Sequence, residues 1–263
     1  MKLINLLPGH YIEHEFFRKI FKLLDEKLFK DVTLIVTHDY DTLPEYGQGV
    51  VVLLTAGDER GTLPSYHKKV RYVFKHHLDA PYLDNVWHLP LPYVNGFSGT
   101  PKIPITERTT DVLFAGRNSR REDMLAAVER LVNRRPDLNI ICFDTGRKFM
   151  RGGWPIGTYS REMSNAKIIL SPRGAVRAEC IRFTEAVACG SAIIACRHPD
   201  LPCFEQTPAT YLDSWNGLQE AVEALLVPGR LPVVQAAMKL AWERFFSPEA
   251  QATLMNAVMR GPQ

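Results

Sequence analysis

Short apolar runs alternate with stretches of helical periodicity along most of the chain, the arrangement expected of a mainly parallel sheet wrapped by helices. In the first half, runs rich in Val, Leu and Ile predict strands over residues 3–7, 32–37, 50–55, 70–74 and 86–89. Between the first two, Phe16, Phe17, Ile20, Phe21, Leu24 and Leu28 recur at helical spacing and predict a helix over residues 11–29. Residues 90–107 break the pattern with four prolines and two glycines in an aperiodic context, which reads as an interdomain linker with the boundary near Arg108.

The second half resumes with a strand over residues 111–115, the turn Gly116-Arg117-Asn118 and a helix opening at Ser119. Ser119 and Glu122 have capping-box spacing, and Met124, Leu125, Val128, Leu131 and Val132 give that helix its apolar stripe. Strands over 138–143, 167–170 and 192–195 alternate with helices over 159–164 and 178–189, and Gly190 is placed to close the second helix in the left-handed conformation. Helices over 215–226, 232–245 and 248–259 follow, the last with Ser247 as cap and Pro248 at its first position. The expectation is an α/β protein of two Rossmann-like units, residues 1–108 and 109–263.

A length of 263 residues suits two such units. The net charge of +3 is too weak to point to nucleic acid, and no run of about 18 apolar residues suggests a membrane span, so a cytoplasmic protein is expected. Cys142, Cys180, Cys189, Cys196 and Cys203 are too scattered for a zinc site and read as reduced, mostly buried residues. The first helix sets Arg18, Lys19, Lys22, Lys27 and Lys30 beside its phenylalanines, a pattern that suits peripheral contact with the inner membrane surface and, more strongly, packing on a sheet.

Open α/β sheets bind ligands beyond the carboxyl ends of their strands, which directs attention to the turns after Ala115 and Leu170. The first offers Gly116 and Arg117, the second Arg173, Gly174 and, beyond them, Arg177: backbone donors, helix starts and guanidinium groups suited to phosphate oxygens. On the following helix Arg182 and Glu185 share one face, and Glu185 is suited to accept hydrogen bonds from a ribose, with Tyr159 lining the same pocket. For each of these residues a surface or ion-paired role is the plain alternative.

Tyr159-Ser160-Arg161-Glu162-Met163-Ser164-Asn165-Ala166-Lys167, then Ile168 to Gly174, then Arg182-Phe183-Thr184-Glu185-Ala186 and Gly190-Ser191-Ala192-Ile193-Ile194, resembles the pattern of exostosin-like glycosyltransferases in order and spacing. Phe114-Ala115-Gly116 with Arg121 and Leu125 extends the resemblance over about residues 111–202. It implies a GT-B-type enzyme, two Rossmann-like domains facing each other across a cleft, that moves a sugar from a nucleotide-sugar donor, held by the second unit, to a glycan or lipid-linked glycan acceptor held by the first, with no cofactor and no divalent metal required. Arg173, Gly174, Arg182 and Glu185 match the family's donor motif, and Arg117 corresponds loosely to a phosphate-contacting arginine. The chain lacks the membrane anchor and cysteine-rich character of animal exostosins, so a bacterial surface-polysaccharide enzyme is the closer picture.

Transfer with inversion needs a group to take the acceptor proton, and His38, Asp39 and His10 follow strands of the first unit. Asp39 and Asp41 also have the Asp-x-Asp spacing of a metal-dependent transferase, although both are common turn residues. A non-catalytic nucleotide- or glycan-binding module is the remaining alternative.

Overall fold

The computed structural model describes residues 1–9, 11–55, 60–99, 103–146, 153–174 and 177–261. Two parallel sheets form, one in each half. The first contains β1 (Lys2–Asn5), β2 (Thr33–Thr37), β3 (Gly47–Leu54), β4 (Val70–Lys75), β5 (Tyr82–Leu83) and β6 (Val86–His88), in the order β1-β2-β3-β4-β6-β5. All of its pairings are parallel except that of β5 with β6. Helix α1 (His14–Leu23) buries Phe16, Phe17 and Ile20 in the main core with Val36, Leu53 and Phe74. The opposite face is covered by Tyr40, Leu43 and Tyr66, which belong to the connections after β2 and β3 and form a second cluster with Ile35, Val52 and Leu54.

Helix α1 is shorter than the apolar periodicity suggests, because Leu24 turns to an extended conformation and Asp25 caps a separate turn by accepting from the Lys27 N–H at 3.0 Å. Its apolar stripe is consumed by the core, and Lys19 donates to the Tyr93 hydroxyl at 2.6 Å.

The second sheet contains β7 (Thr110–Gly116), β8 (Ile140–Asp144), β9 (Ala166–Ser171), β10 (Ala192–Cys196) and β11 (Thr210–Leu212), all parallel, in the order β11-β10-β9-β7-β8. Helices α2 (Glu122–Arg134), α3 (Ile156–Asn165), α4 (Ile181–Ala188) and α5 (Pro202–Glu205) alternate with the strands, and α6 (Leu218–Leu226), α7 (Arg230–Ala241) and α8 (Pro248–Arg260) follow. Strand β9, third in sequence, lies on the far side of β7 from β8, so the direction of winding reverses between β7 and β9.

The predicted capping box does not form. Arg120 takes φ 61°, the chain turns there, α2 begins at Glu122 without a side-chain cap, and Glu122 accepts from the Arg120 N–H instead. Val132, expected in the buried stripe, is 45% exposed. At the other end of the chain the expectation holds: Ser247 accepts from the Ala250 N–H at 3.0 Å and Pro248 opens α8. Gly190 takes φ 60° after α4, as its position predicted. The cysteines are all free, with Cys189 and Cys203 buried and Cys142 exposed.

Residues 90–99 form a packed strap rather than a solvated linker. Leu91, Tyr93, Val94 and Phe97 are buried, the Thr184 hydroxyl donates to Leu91 O at 2.6 Å, and Gln251 Nε2 donates to Pro90 O at 3.0 Å. Helix α8 returns to the first half, where Asn256 accepts from the Asp25 N–H and donates to Leu23 O. One continuous core therefore runs from Phe16 and Phe17 through Ile168 and Ile193 to Met255.

Candidate functional site

Parallel strands end on one edge of a sheet, and where the winding reverses the two outgoing connections diverge, leaving a crevice between them. In the second sheet that place lies between β7 and β9, and the two turns carrying the sequence-predicted arginines leave from these two strands. The turns touch. Arg121 Nη2 donates to Arg173 O at 3.4 Å, and Arg182 at the start of α4 donates through Nε and Nη2 to Ala115 O at 3.0 and 2.7 Å.

The Arg182 guanidinium lies over the Phe114 ring, 4.8 Å from its centroid, and fills the space that a side chain at Gly116 would occupy. A glycine is therefore required at the end of β7 for this arginine to lie flat across it. Arg117 and Arg173 are exposed, and Gly174 is half-buried beside Arg173. Asn118, which sequence reasoning passed over, donates its N–H to Asp144 at 3.2 Å, while its buried Oδ1 meets no hydrogen-bond donor.

Glu185 is 2% exposed. Its carboxylate accepts from the Tyr159 hydroxyl at 2.6 Å and, at the limit of a hydrogen bond, from the Val94 N–H at 3.5 Å. Burial raises its pKa above the ordinary carboxylate value, against the opposing pull of Tyr159 and Arg182. Burial likewise raises the Tyr159 phenol, and the Glu185 charge adds to that. The predicted trio of Tyr159, Arg182 and Glu185 is thus brought together beneath the strap.

Arg177 points the other way. It pairs with Asp79 at 3.2 Å and lies against Gly61, both in loops after strands of the first sheet. The carboxyl edges of the two sheets therefore face each other, and Arg177 spans them. Behind it Glu179, which no motif or periodicity singles out, is 4% exposed and accepts from the N–H groups of His77 and Leu91 at 2.9 and 2.8 Å. Burial opposes its charge, but His88, His77 and His76 outweigh that and hold the carboxyl below its usual range. Glu179 ties the second sheet's loop to the first half of the chain.

Among the proton acceptors expected in the first half, His38 is exposed at the end of β2 with its ring stacked 6.5 Å from that of Tyr11. The Asp39 carboxylate accepts from the Asp41 and Thr42 N–H groups at 2.7 and 3.1 Å and from the Thr42 hydroxyl at 2.9 Å. Those bonds, the Asp41 amide first, lower its pKa and close the turn. Asp41 lends its amide to that turn and its carbonyl to Ser65. No group of three or more His, Cys, Asp or Glu side chains among the described residues converges in metal-binding geometry. His10 lies outside the described residues.

The structure titled "Crystal structure of GtfA/B complex" superposes with a TM-score of 0.56 at 13% identity, covering 95% of this chain and 60% of that one. The fold is GT-B-like. A pneumococcal O-GlcNAc transferase GtfA, in complex with UDP and GlcNAc, matches at 14% identity over 89% of this chain and 53% of its own, with a TM-score of 0.47. AviGT4, a glycosyltransferase involved in avilamycin A biosynthesis, matches at 10% identity over 100% and 99%, with a TM-score of 0.46. At these identities the likeness concerns fold alone, and the chain spans little more than half the length of the first two. No protein-family model and no curated protein matches the sequence.

Proposed function

We propose that the chain is a glycosyltransferase whose second sheet holds the diphosphate of a nucleotide sugar at the β7–β9 reversal. The observation that carries this reading is the meeting of two arginine-bearing turns at the one place in that sheet where the winding changes direction. Arg117, Arg173 and Arg182, with the amides around Gly116 and Gly174, neutralise the diphosphate. Glu185 exchanges its bonds to Tyr159 and Val94 for the ribose hydroxyls, with Tyr159 beside it, and Asn118 Oδ1 accepts from a ligand hydroxyl. As the anomeric carbon's bond to the diphosphate breaks, charge grows on the departing oxygen, and the arginines stabilise that state more than the intact donor.

The acceptor hydroxyl forms the new bond to that carbon and gives up its proton. In an inverting reaction His38 is the group to receive it, because Asp39 is already held as an anion by three donors of its own turn. The reading calls on no metal. The acceptor is a glycan or lipid-linked glycan approaching from the first half, and the sequence resemblance to exostosin-like enzymes supports a role in surface polysaccharide synthesis within the cytoplasm.

Arg177 must change partners for the donor to use it. Its bond to Asp79 is an exposed ion pair, worth about 0–1 kcal/mol, less than a charge-assisted bond to phosphate in a closed site provides. A panel of nucleoside diphosphates and nucleotide sugars should raise the melting temperature selectively, and the stabilising nucleotide sugar should be slowly hydrolysed. Stabilisation without hydrolysis or transfer would favour a binding module, and the absence of any stabilising nucleotide would refute the site.

A further inference from the structure

The loop that leaves β9 is anchored to the first half of the chain by two side chains two residues apart, and the anchors differ in kind. Glu179 is buried and accepts from the His77 and Leu91 N–H groups, so the base of the loop is fixed by buried bonds. Arg177 is reached by water: its side chain is 36% exposed, and its Nη1 donates to both Asp79 carboxylate oxygens at 3.2 Å. Both bonds come from one nitrogen, a looser pairing than a fork in which two nitrogens meet two oxygens. Asp79 is presented by its neighbours, since Leu78 is buried in the second cluster and the His77 amide is bound to Glu179. Residues 77 and 79 of the loop after β4 therefore meet residues 179 and 177 of the loop after β9.

The first half offers this arginine more than a charge. Gly61, in the connection between β3 and β4, lies under the guanidinium, and a Cβ at that position would overlap Arg177 Cζ and Nη2. Among the described residues the atoms nearest to such a Cβ all belong to Arg177, and Gly61 has no left-handed φ. The missing side chain therefore makes room for the arginine and is not demanded by the backbone. A carboxylate and a flat floor together form a dock for the guanidinium. An exposed ion pair is weak, so the dock holds Arg177 but gives way to a stronger anion.

We infer that Asp79 and Gly61 are positioning residues for the donor: they dock Arg177 against the first half of the chain and yield it to a diphosphate, so that Asp79 competes with the donor for one arginine. The inference rests on the donor site proposed above and adds to it two residues from the other half of the chain. Affinity for a diphosphate is then set below what the arginine alone would give, by the fraction of molecules in which Arg177 is docked. The weakness of an exposed pair bounds that effect at about fivefold. Because Glu179 keeps the base of the loop in place, Arg177 exchanges partners by turning its side chain.

The test is a calorimetric titration of the full chain with UDP, GDP, ADP and inorganic pyrophosphate, repeated on variants of the dock. For each anion that binds, Asp79→Asn should tighten binding by about two- to fivefold. Gly61→Ala leaves every charge in place and only displaces the guanidinium, and it should tighten binding in the same direction. Removing an exposed carboxylate also favours a nearby anion through the field, and that part survives loss of the arginine. In the Arg177→Ala background Asp79→Asn should therefore change affinity by less than about twofold at physiological ionic strength. Binding by the native chain that neither Asp79→Asn nor Gly61→Ala tightens overturns the dock and leaves the donor site standing. So does equal tightening by Asp79→Asn with and without Arg177. Failure of all four anions to bind any of these proteins refutes the donor site, and the dock with it.

Discussion

Among the described residues Arg108 is the largest of the fully buried side chains, and its position shows how a single residue can hold the second sheet together. Its guanidinium donates to Ala166 O at 2.8 Å, the Ser191 hydroxyl at 2.7 Å and Cys189 O at 2.7 Å, joining the start of β9 to the end of α4. Arg108→Ala would strand those acceptors, and urea unfolding should show a loss of about 3 kcal/mol. In the sequence Arg108 marks only a boundary, because nothing in a linear pattern tells a buried arginine from a surface one. His76 is equally silent there. Burial lowers its pKa from 6.5 to about 3, so the folded state refuses a proton that the unfolded chain accepts. The stability this confers is present above pH 6.5 and is lost as pH falls toward 3, amounting to ~2 kcal/mol between neutrality and pH 5. His76→Gln should flatten that slope in urea titrations, and an unchanged slope would place the acid sensitivity elsewhere.

At the level of elements, the apolar runs placed nine of the eleven strands; β5 and β11, of two and three residues, left no periodic trace. Helix ends were readable where a side chain does the capping. Ser247 is the clear case, and Ser247→Ala should cost about 1 kcal/mol by removing the bond to the Ala250 N–H. The start of α2 was misread because a left-handed residue at Arg120 redirected the chain before the capping spacing could act. The same turn carries Arg117 and Asn118, two of the residues proposed to meet the donor. Tyr159, Arg182 and Glu185 could be grouped in advance because α3, β9 and α4 follow one another closely. Glu179 could not, since its partners His77, His88 and Leu91 lie about a hundred residues earlier.

The molecule as a whole is joined more tightly than its two-sheet plan suggests. The strap over residues 90–99 is buried, Glu179 and Arg177 cross between the sheets, and α8 packs on α1. A single core of this kind should unfold in one cooperative transition, with tryptophan fluorescence and far-ultraviolet circular dichroism changing together; separate midpoints would show independent units. Mostly parallel sheets in both halves were legible from the Val, Leu and Ile runs, and the facing of the two units was implied by the family resemblance, whereas the contacts that set it, such as Arg177 with Asp79, were not legible. That facing gives the β7–β9 reversal its significance. The decisive measurement is a calorimetric titration of the stabilising nucleoside diphosphate against the native chain and Arg173→Ala, an exposed position whose loss leaves the core intact. The account predicts saturable binding by the native chain that Arg173→Ala weakens by roughly tenfold, as expected for one charge-assisted contact. Equal affinity in the two proteins, or no nucleotide bound by either, would contradict it.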